Sequence, residues 1–210
     1  MLLRKKLRIL AQNTRQASRS VEFLTTAKKN QILKEIAGEL VRNTNRLIKA
    51  NGKDMFYAKR AGLSSAMLDR LLLTRERIQK MAVSVSEVAK LSDPVGEVIK
   101  KWKRPNGLVI SQVRVPLGVI LVIYESRPNV TSECASLCLK SGNAVILKGG
   151  KEAFYSNQMI SHIYQEVLKR RLLPEARGRD ARVRGGVARR GRGDRVLQAH
   201  RDRLPVVQPD

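Results

Sequence analysis

Gly118-Val-Ile-Leu-Val-Ile-Tyr124 and Ala144-Val-Ile-Leu147 are two short runs dominated by β-branched residues, separated by a segment of helical length. Unbroken apolar runs of this kind read as strands buried on both faces, the habit of parallel sheets. Between them, Glu125–Asn129 is a loop and a helix is expected from about Val130 to Ser141, closed by Gly142-Asn143. After the second run, Lys148-Gly-Gly150 is again a loop, and a second helix is expected from about Glu152 to Arg171. This strand–helix–strand–helix order implies a parallel, doubly wound α/β layer. Ligands of such layers bind beyond the carboxyl ends of the strands. The candidate loops are therefore Tyr124–Thr131 and Lys148–Glu152.

Working outward, residues 1–92 read as helical. Ile32, Ile36, Leu40, Leu47 and Ile48 keep a period near 3.6 after a Thr25 or Thr26 cap, and Asn51-Gly52 is expected to stop that helix. A shorter helix from about Asp54 to Ala61 ends at Gly62, and a run from about Ser65 to Leu91 breaks near Thr74. Asp93-Pro94 forces a turn. The stretch 107–115 alternates as an exposed strand or hairpin arm, ended by Pro116.

Gly149 and Gly150 enter a helix, where backbone amides and the positive end can receive an anionic group. The pair falls short of a full G-x-G-x-x-G fingerprint, and an ordinary strand-to-helix turn accounts for it as well. Asn129 sits where the first helix begins. Spacing alone favours an N-cap; the alternative is an amide that donates to an oxyanion. Cys134 and Cys138 lie four apart on one helix face, among Ala135, Leu137 and Leu139. No disulfide is expected there, and burial is expected to raise both thiol pKa values and make them poor nucleophiles. No metal site is assigned.

Longer stretches carry a family resemblance. Val113-Arg-Val-Pro-Leu-Gly-Val119, Tyr124-Glu-Ser-Arg-Pro-Asn-Val-Thr131 and Leu137-Cys-Leu-Lys-Ser-Gly-Asn-Ala-Val-Ile-Leu-Lys-Gly-Gly150 resemble γ-glutamyl phosphate reductase, of the aldehyde dehydrogenase superfamily. Leu71-Leu-Leu-Thr74, Asp93-Pro-Val-Gly-Glu97 and Trp102-Lys-Arg-Pro-Asn-Gly107 extend the match, which covers about residues 10–175. The resemblance implies an aldehyde dehydrogenase-like α/β fold, with a partial Rossmann-type cofactor domain preceded by N-terminal helices. It implies reduction of L-glutamate 5-phosphate to the 5-semialdehyde by NADPH with release of phosphate, a step of proline biosynthesis. In the family a Cys thiolate attacks the acyl phosphate, splitting one hard displacement into two easier ones. By position, Asn129 becomes the oxyanion donor. Lys148 becomes a contact to the cofactor's ribose, with Gly149 and Gly150 lining that edge and Lys151 a second cation for the 2′-phosphate. The resemblance further implies an oligomerisation arm and a homo-oligomer for the full-length family. The family's nucleophilic Cys lies beyond the matched part, so this chain is expected to be a truncated copy without turnover.

Composition breaks where the match ends. From Ala176 to Asp210 only nine residue types occur, with ten Arg and no Lys, whereas residues 1–175 hold 17 Lys and 15 Arg. All nine types have codons rich in G and C, the mark of a coding sequence read out of frame. The expected organisation is one domain part over 1–175 and a disordered, out-of-frame Arg/Gly-rich tail over 176–210. One alternative is a basic nucleic-acid-binding protein that uses this tail. Another is a non-catalytic partner that docks on an intact reductase through the 107–115 arm. Net charge is +24. The basic residues of the body are spread along helices in no block of five or more, as on a solvated surface, so nucleic-acid binding beyond non-specific charge is not expected. The reading is a reduced, cytoplasmic protein without a signal peptide or membrane span.

Overall fold

The computed structural model describes residues 2–183 and 206–207. Five helices come first: α1 (Leu2–Glu22), α2 (Thr26–Arg42), α3 (Thr44–Arg60), α4 (Ser65–Leu71) and α5 (Arg75–Lys90). Three of them start on hydroxyl caps. The side chains of Thr25, Ser64 and Thr74 accept from the amides of Lys28, Met67 and Arg77, each satisfying one donor that a helix start leaves free. An antiparallel hairpin follows, β1 (Val98–Lys103) with β2 (Val109–Val113). Then come β3 (Val119–Ile123), α6 (Pro128–Lys140), β4 (Ala144–Lys148), one 3-10 turn (Lys151–Ala153), α7 (Phe154–Val183) and β5 (Val206–Val207).

β3 and β4 run parallel in register, Val119 beside Ala144 and Ile123 beside Lys148, and β5 adds on the far side of β4. The expected α/β layer is therefore present, with α6 as the crossover. Its core joins the sheet to the helical layer: Ile32, Ile36 and Leu40 of α2, Ile78 and Val85 of α5, Leu139 of α6, Leu147 of β4, and Tyr164 and Val167 of α7 are all buried. Gly142 ends α6 at φ +74, and a Cβ there would stand 2.9 Å from Pro116, so this turn demands glycine twice over.

The structure corrects several sequence expectations. The apolar period of residues 32–48 spans two helices, because the chain breaks at Asn43 without losing phase. Asn51-Gly52 stops nothing and lies inside α3. Asn51 is buried, and its amide serves the bend after α4: Nδ2 donates to Leu71 O (2.8 Å) and Oδ1 accepts from Leu73 N (2.8 Å). β1 escaped notice because its six residues are all exposed and three are lysines. β3 is not buried on both faces: Leu121 and Ile123 are 59% and 73% exposed, since β3 is the sheet edge among the described residues. Of the segment read as a disordered tail, Ala176–Val183 continue α7, as their Ala and Arg content permits. Val206-Val207 pair with the open edge of β4, which suits a β-branched dipeptide. The rest of that expectation, over 184–205 and 208–210, lies outside the described residues.

A buried charge cluster closes the helical layer. Lys29, fully buried on α2, donates to both Asp93 carboxylate oxygens at 3.0 and 3.1 Å. Thr26 Oγ1 (2.9 Å) and the Val95 amide (3.1 Å) also donate to Asp93. Lys140, on α6, donates to Asn30 Oδ1 and Ala89 O. Burial alone would raise the Asp93 carboxyl, but the donors from Lys29, Val95 and Thr26 outweigh it and hold it below the usual carboxylate range. Burial lowers the Lys140 ammonium. No helix among the described residues is long and apolar enough to cross a membrane.

Candidate active site

The two loops predicted to carry the site emerge side by side from the carboxyl ends of β3 and β4, and the chain fastens them together. Glu152, in the 3-10 turn, accepts from the Ser126 amide (2.8 Å) and the Ser126 hydroxyl (2.7 Å) through one oxygen. Burial would raise the Glu152 carboxyl, but the two Ser126 donors outweigh it and leave it lowered, so it stays ionised. A second tie runs Tyr124 hydroxyl to Thr131 hydroxyl (2.5 Å) to Asn157 Oδ1 (2.8 Å). Burial pushes the Tyr124 phenol up to about 12, which keeps it a neutral partner.

Asn129 is not a cap. Arg127 occupies the N-cap position of α6 without a side-chain cap bond, and Pro128 begins the helix. Asn129, one residue further in and half-buried, donates through Nδ2 to Glu133 Oε1 at 2.9 Å, one turn along. A carboxamide nitrogen carries two N–H groups. Glu133 engages one and orients the group, and the second remains to donate outward. Asn129 faces a cavity of about 350 Å³ between α4, α5 and the start of α6.

Lys148, the last residue of β4, and Lys151, just beyond it, are both exposed, and Lys148 Nζ donates to Gly149 O at 3.0 Å. Neither lines the Asn129 cavity, so the structure sorts the predicted residues into two places: Asn129 in the cavity, and Lys148, Gly149, Gly150 and Lys151 at the carboxyl end of β4.

The glycines are used differently from the sequence expectation. A Cβ at Gly149 would lie 2.2 Å from Asn157 Nδ2 and 3.2 Å from the Tyr124 ring, and one at Gly150 would collide with the Glu152 carboxylate. Internal side chains, not an open cradle, occupy the space beside both glycines, so a side chain there would have to displace the Asn157 amide or the Glu152 carboxylate. Nor is the positive end of α7 open to a ligand. Asp54, buried on α3, accepts from the amides of Tyr155 (3.0 Å) and Ser156 (2.8 Å) and from the Ser156 hydroxyl (2.6 Å). A carboxylate of the chain itself thus fills the anion position of that helix start. Burial raises the Asp54 carboxyl despite these donors. Asp54→Ala is expected to cost about 2–3 kcal/mol by stranding three donors and removing a cap. Asp54→Asn, which keeps an acceptor and sheds the buried charge, should cost less. Urea unfolding of the two variants checks the order.

Sequence reading missed Glu152, Asp54 and Asn157, because each acts across tens of residues, and it missed Tyr124, whose partner Thr131 lies seven positions on across the start of α6. Only the loop positions of Tyr124 and Glu152 pointed at them. The two cysteines have no disulfide. Burial pushes the Cys138 thiol up to about 12, and burial with the nearby Glu133 charge raises Cys134, so neither is a thiolate at neutral pH.

Known structures with this arrangement are aldehyde dehydrogenases. A salicylaldehyde dehydrogenase from Pseudomonas putida G7 superposes with a TM-score of 0.58 at 20% identity, over 75% of this chain and 30% of that one. That likeness defines the fold: the described residues have the N-terminal architecture of an aldehyde dehydrogenase. Within that class the likeness narrows to γ-glutamyl phosphate reductase. The Thermotoga maritima enzyme superposes with a TM-score of 0.76 at 42% identity, over 79% of this chain and 40% of its own. In sequence, the γ-glutamyl phosphate reductase of Geobacter metallireducens is 49% identical over 176 residues, 84% of this chain. The chain spans about 42% of the length of that relative. No family model matches it.

Proposed function

We propose that this chain is the N-terminal and first cofactor-domain part of a γ-glutamyl phosphate reductase, the oxidoreductase that converts L-glutamate 5-phosphate to the 5-semialdehyde with NADPH and releases phosphate. The observation that carries this is the fastened pair of loops. Glu152–Ser126 and Tyr124–Thr131–Asn157 hold the Asn129 loop against the Lys148–Lys151 loop at the end of the sheet where nucleotides bind in this class. A reaction between a cofactor on one loop and an acyl group on the other needs a fixed separation between them.

The residues present fit a dinucleotide on a narrow basis. Two exposed ammonium groups at the carboxyl end of β4 suit the 2′-phosphate end of NADPH, with Gly149 and Gly150 beside them. The Asp54 carboxylate leaves no room for a pyrophosphate on the α7 amides. NADPH, when bound, supplies the electron pair for reduction of the acyl carbon. Asn129 donates to the oxygen that gains negative charge at that carbon. Cys134 and Cys138 take no part, and the nucleophile of this chemistry belongs to the remainder of the family's length. A reduced, cytoplasmic setting, a place in proline biosynthesis and assembly into a homo-oligomer follow from the same reading.

Lys148→Ala tests it in the chain itself. Loss of an exposed cation facing the 2′-phosphate is expected to weaken NADPH binding by about 1 kcal/mol, roughly fivefold in Kd. NADH binding should change less than about twofold, because NADH lacks that phosphate. Equal loss for both cofactors places Lys148 on the shared ribose, and no binding of either removes the cofactor reading.

A further inference from the structure

We propose that the groove between α3 and α7, with the exposed face of α3 beside it, binds single-stranded nucleic acid. The surface shares no residue with the Asn129 cavity and does not rest on the reductase reading.

Four of the chain's eight aromatic side chains meet here. Phe56 and Tyr57 of α3 stand edge to face, with ring centroids 5.5 Å apart. Tyr57 lies nearly parallel to Tyr155 of α7, at 6.1 Å and 20°, and Phe154 meets Tyr155 edge-on at 5.4 Å. Burial does not account for Phe56 and Tyr57, which are 55% and 56% exposed. A connected row of rings open to water marks a contact surface, and ring faces are what unpaired bases stack on.

The charge on the same face is of one sign. Arg46, Lys49, Lys53, Tyr57 and Arg60 follow at steps of three and four, so α3 turns them to one side. In sequence these cations form no block; the helix gathers them into a stripe about 21 Å long at 1.5 Å per residue. Lys53 Nζ sits over the Tyr155 ring at 5.1 Å, and the Arg60 guanidinium over the Phe56 ring at 5.6 Å, which holds both charges at the stacking surface. Among the described residues Lys49, Lys53 and Arg60 meet no carboxylate, and Arg46 donates to the neutral Asn43 Oδ1. Basic side chains elsewhere are neutralised: Arg42 by Glu39, Arg77 by Asp69, Lys90 by Glu87 and, on α7, Lys169 by Glu166. The one acid of α3, Asp54, is buried and engaged at the start of α7. Beside the stripe a cavity of about 400 Å³ opens between Ala50 and Lys53 on one helix and Tyr155, Met159 and His162 on the other, a recess next to the row of rings.

A single strand is the occupant that uses both features. An acidic peptide would meet the cations and leave the rings without a partner, and a duplex keeps its base faces stacked inside. An anionic membrane takes up apolar side chains flanked by cations, whereas Lys53 and Arg60 lie over the ring faces themselves.

The test titrates the full chain, by fluorescence anisotropy, into two labelled strands of about eight nucleotides, within the usual site size of stacking platforms. One is oligothymidylate; the other is its abasic counterpart, which keeps the phosphates and sugars. Oligothymidylate is expected to bind at least about tenfold more tightly, a difference of about 1.4 kcal/mol. Residues 176–210 hold ten Arg and no Phe, Tyr or Trp, so a polyanion held there would show no such preference. Phe56→Ala and Tyr57→Ala, both at exposed positions, should each weaken oligothymidylate about tenfold and the abasic strand less than about twofold. Tyr57→Phe keeps the ring and should bind like wild type. Lys49→Gln and Lys53→Gln should each lower the slope of log affinity against log salt by about 0.7. Equal affinity for the two strands overturns the proposal in favour of an unspecific charge contact. Wild-type binding in both alanine variants overturns it as well. Vesicles of phosphatidylcholine with phosphatidylserine that lose affinity on Phe56→Ala, alongside equal affinity for the two strands, would assign the surface to a membrane instead.

Discussion

Replacing Asp93 with alanine is expected to destabilise the fold by about 3–5 kcal/mol, because it leaves a buried ammonium without its counter-ion. The Lys29 side chain is 1% exposed and that of Asp93 9%, so bulk water screens this pair little. Lys140, also buried, donates to Asn30 Oδ1 and Ala89 O and feels the same carboxylate, so with Asp93 gone two buried ammonium groups are left without a negative partner. The Val95 amide and the Thr26 hydroxyl lose their acceptor as well. The double variant Asp93→Ala with Lys29→Met should recover much of the loss, since an apolar side chain of similar length needs no partner. A loss below about 1 kcal/mol in the single variant would mean that Lys29 reaches water or another acceptor.

The same cluster sets a pH dependence. The folded Asp93 carboxyl is held below its ordinary value, so it adds stability that is complete above the unfolded carboxylate pKa of about 3.9. That contribution is lost as pH falls through the folded value. The acid limb of the unfolding curve should therefore flatten in the double variant relative to wild type, and the neutral plateau should change far less.

The sheet was legible because β-branched runs and the Gly142-Asn143 stop are local signals. Thr25 and Thr74 were legible for the same reason, since a hydroxyl before an amphipathic run has one efficient use. What was not legible is whatever depends on the far side of a contact. The run in β3 says what could be buried and not what covers it, and in the described residues Leu121 and Ile123 face outward. Asn51 looks like a stop signal beside Gly52. Only the bend between α4 and α5, twenty residues on, turns its amide into a brace. Asp93 read as half of a turn, and its heavier role is as partner to a lysine 64 positions earlier. At the site, a Gly-Gly before a helix suggested an open anion cradle. The structure fills that space with Asp54, Glu152 and Asn157: Glu152 lies only two residues after Gly150, but spacing shows neither that its carboxylate folds back onto that glycine nor that Asp54 arrives from α3. The family resemblance placed Asn129 in the catalytic role. Its bond to Glu133 rather than to a free helix amide sets the cap aside and leaves the donor role as the proposal to test.

That preference sets up the last expected result. In a full-length reductase carrying this segment, Asn129→Ala should lower kcat by about 10²–10³, the usual loss when one oxyanion donor is removed. NADPH affinity should stay within about twofold, because Lys148 and Lys151 line no part of the Asn129 cavity. The fold should survive, since the N-cap is Arg127 and, among the described residues, the side-chain bond lost is the one to Glu133, which solvent can serve. Asn129→Asp sharpens the test. It keeps the shape but carries no N–H, and it sets a second carboxylate beside Glu133, so its turnover should fall at least as far as that of the alanine variant. A residue that merely packs the cavity wall would give the reverse order, with the isostere close to wild type and alanine impaired. Turnover per folded molecule that is unchanged in both variants would take Asn129 out of the chemistry altogether. The donor role requires more than slow turnover: the deficit must appear in kcat and kcat/KM equally, since the bond it supplies forms only as charge builds on the acyl oxygen.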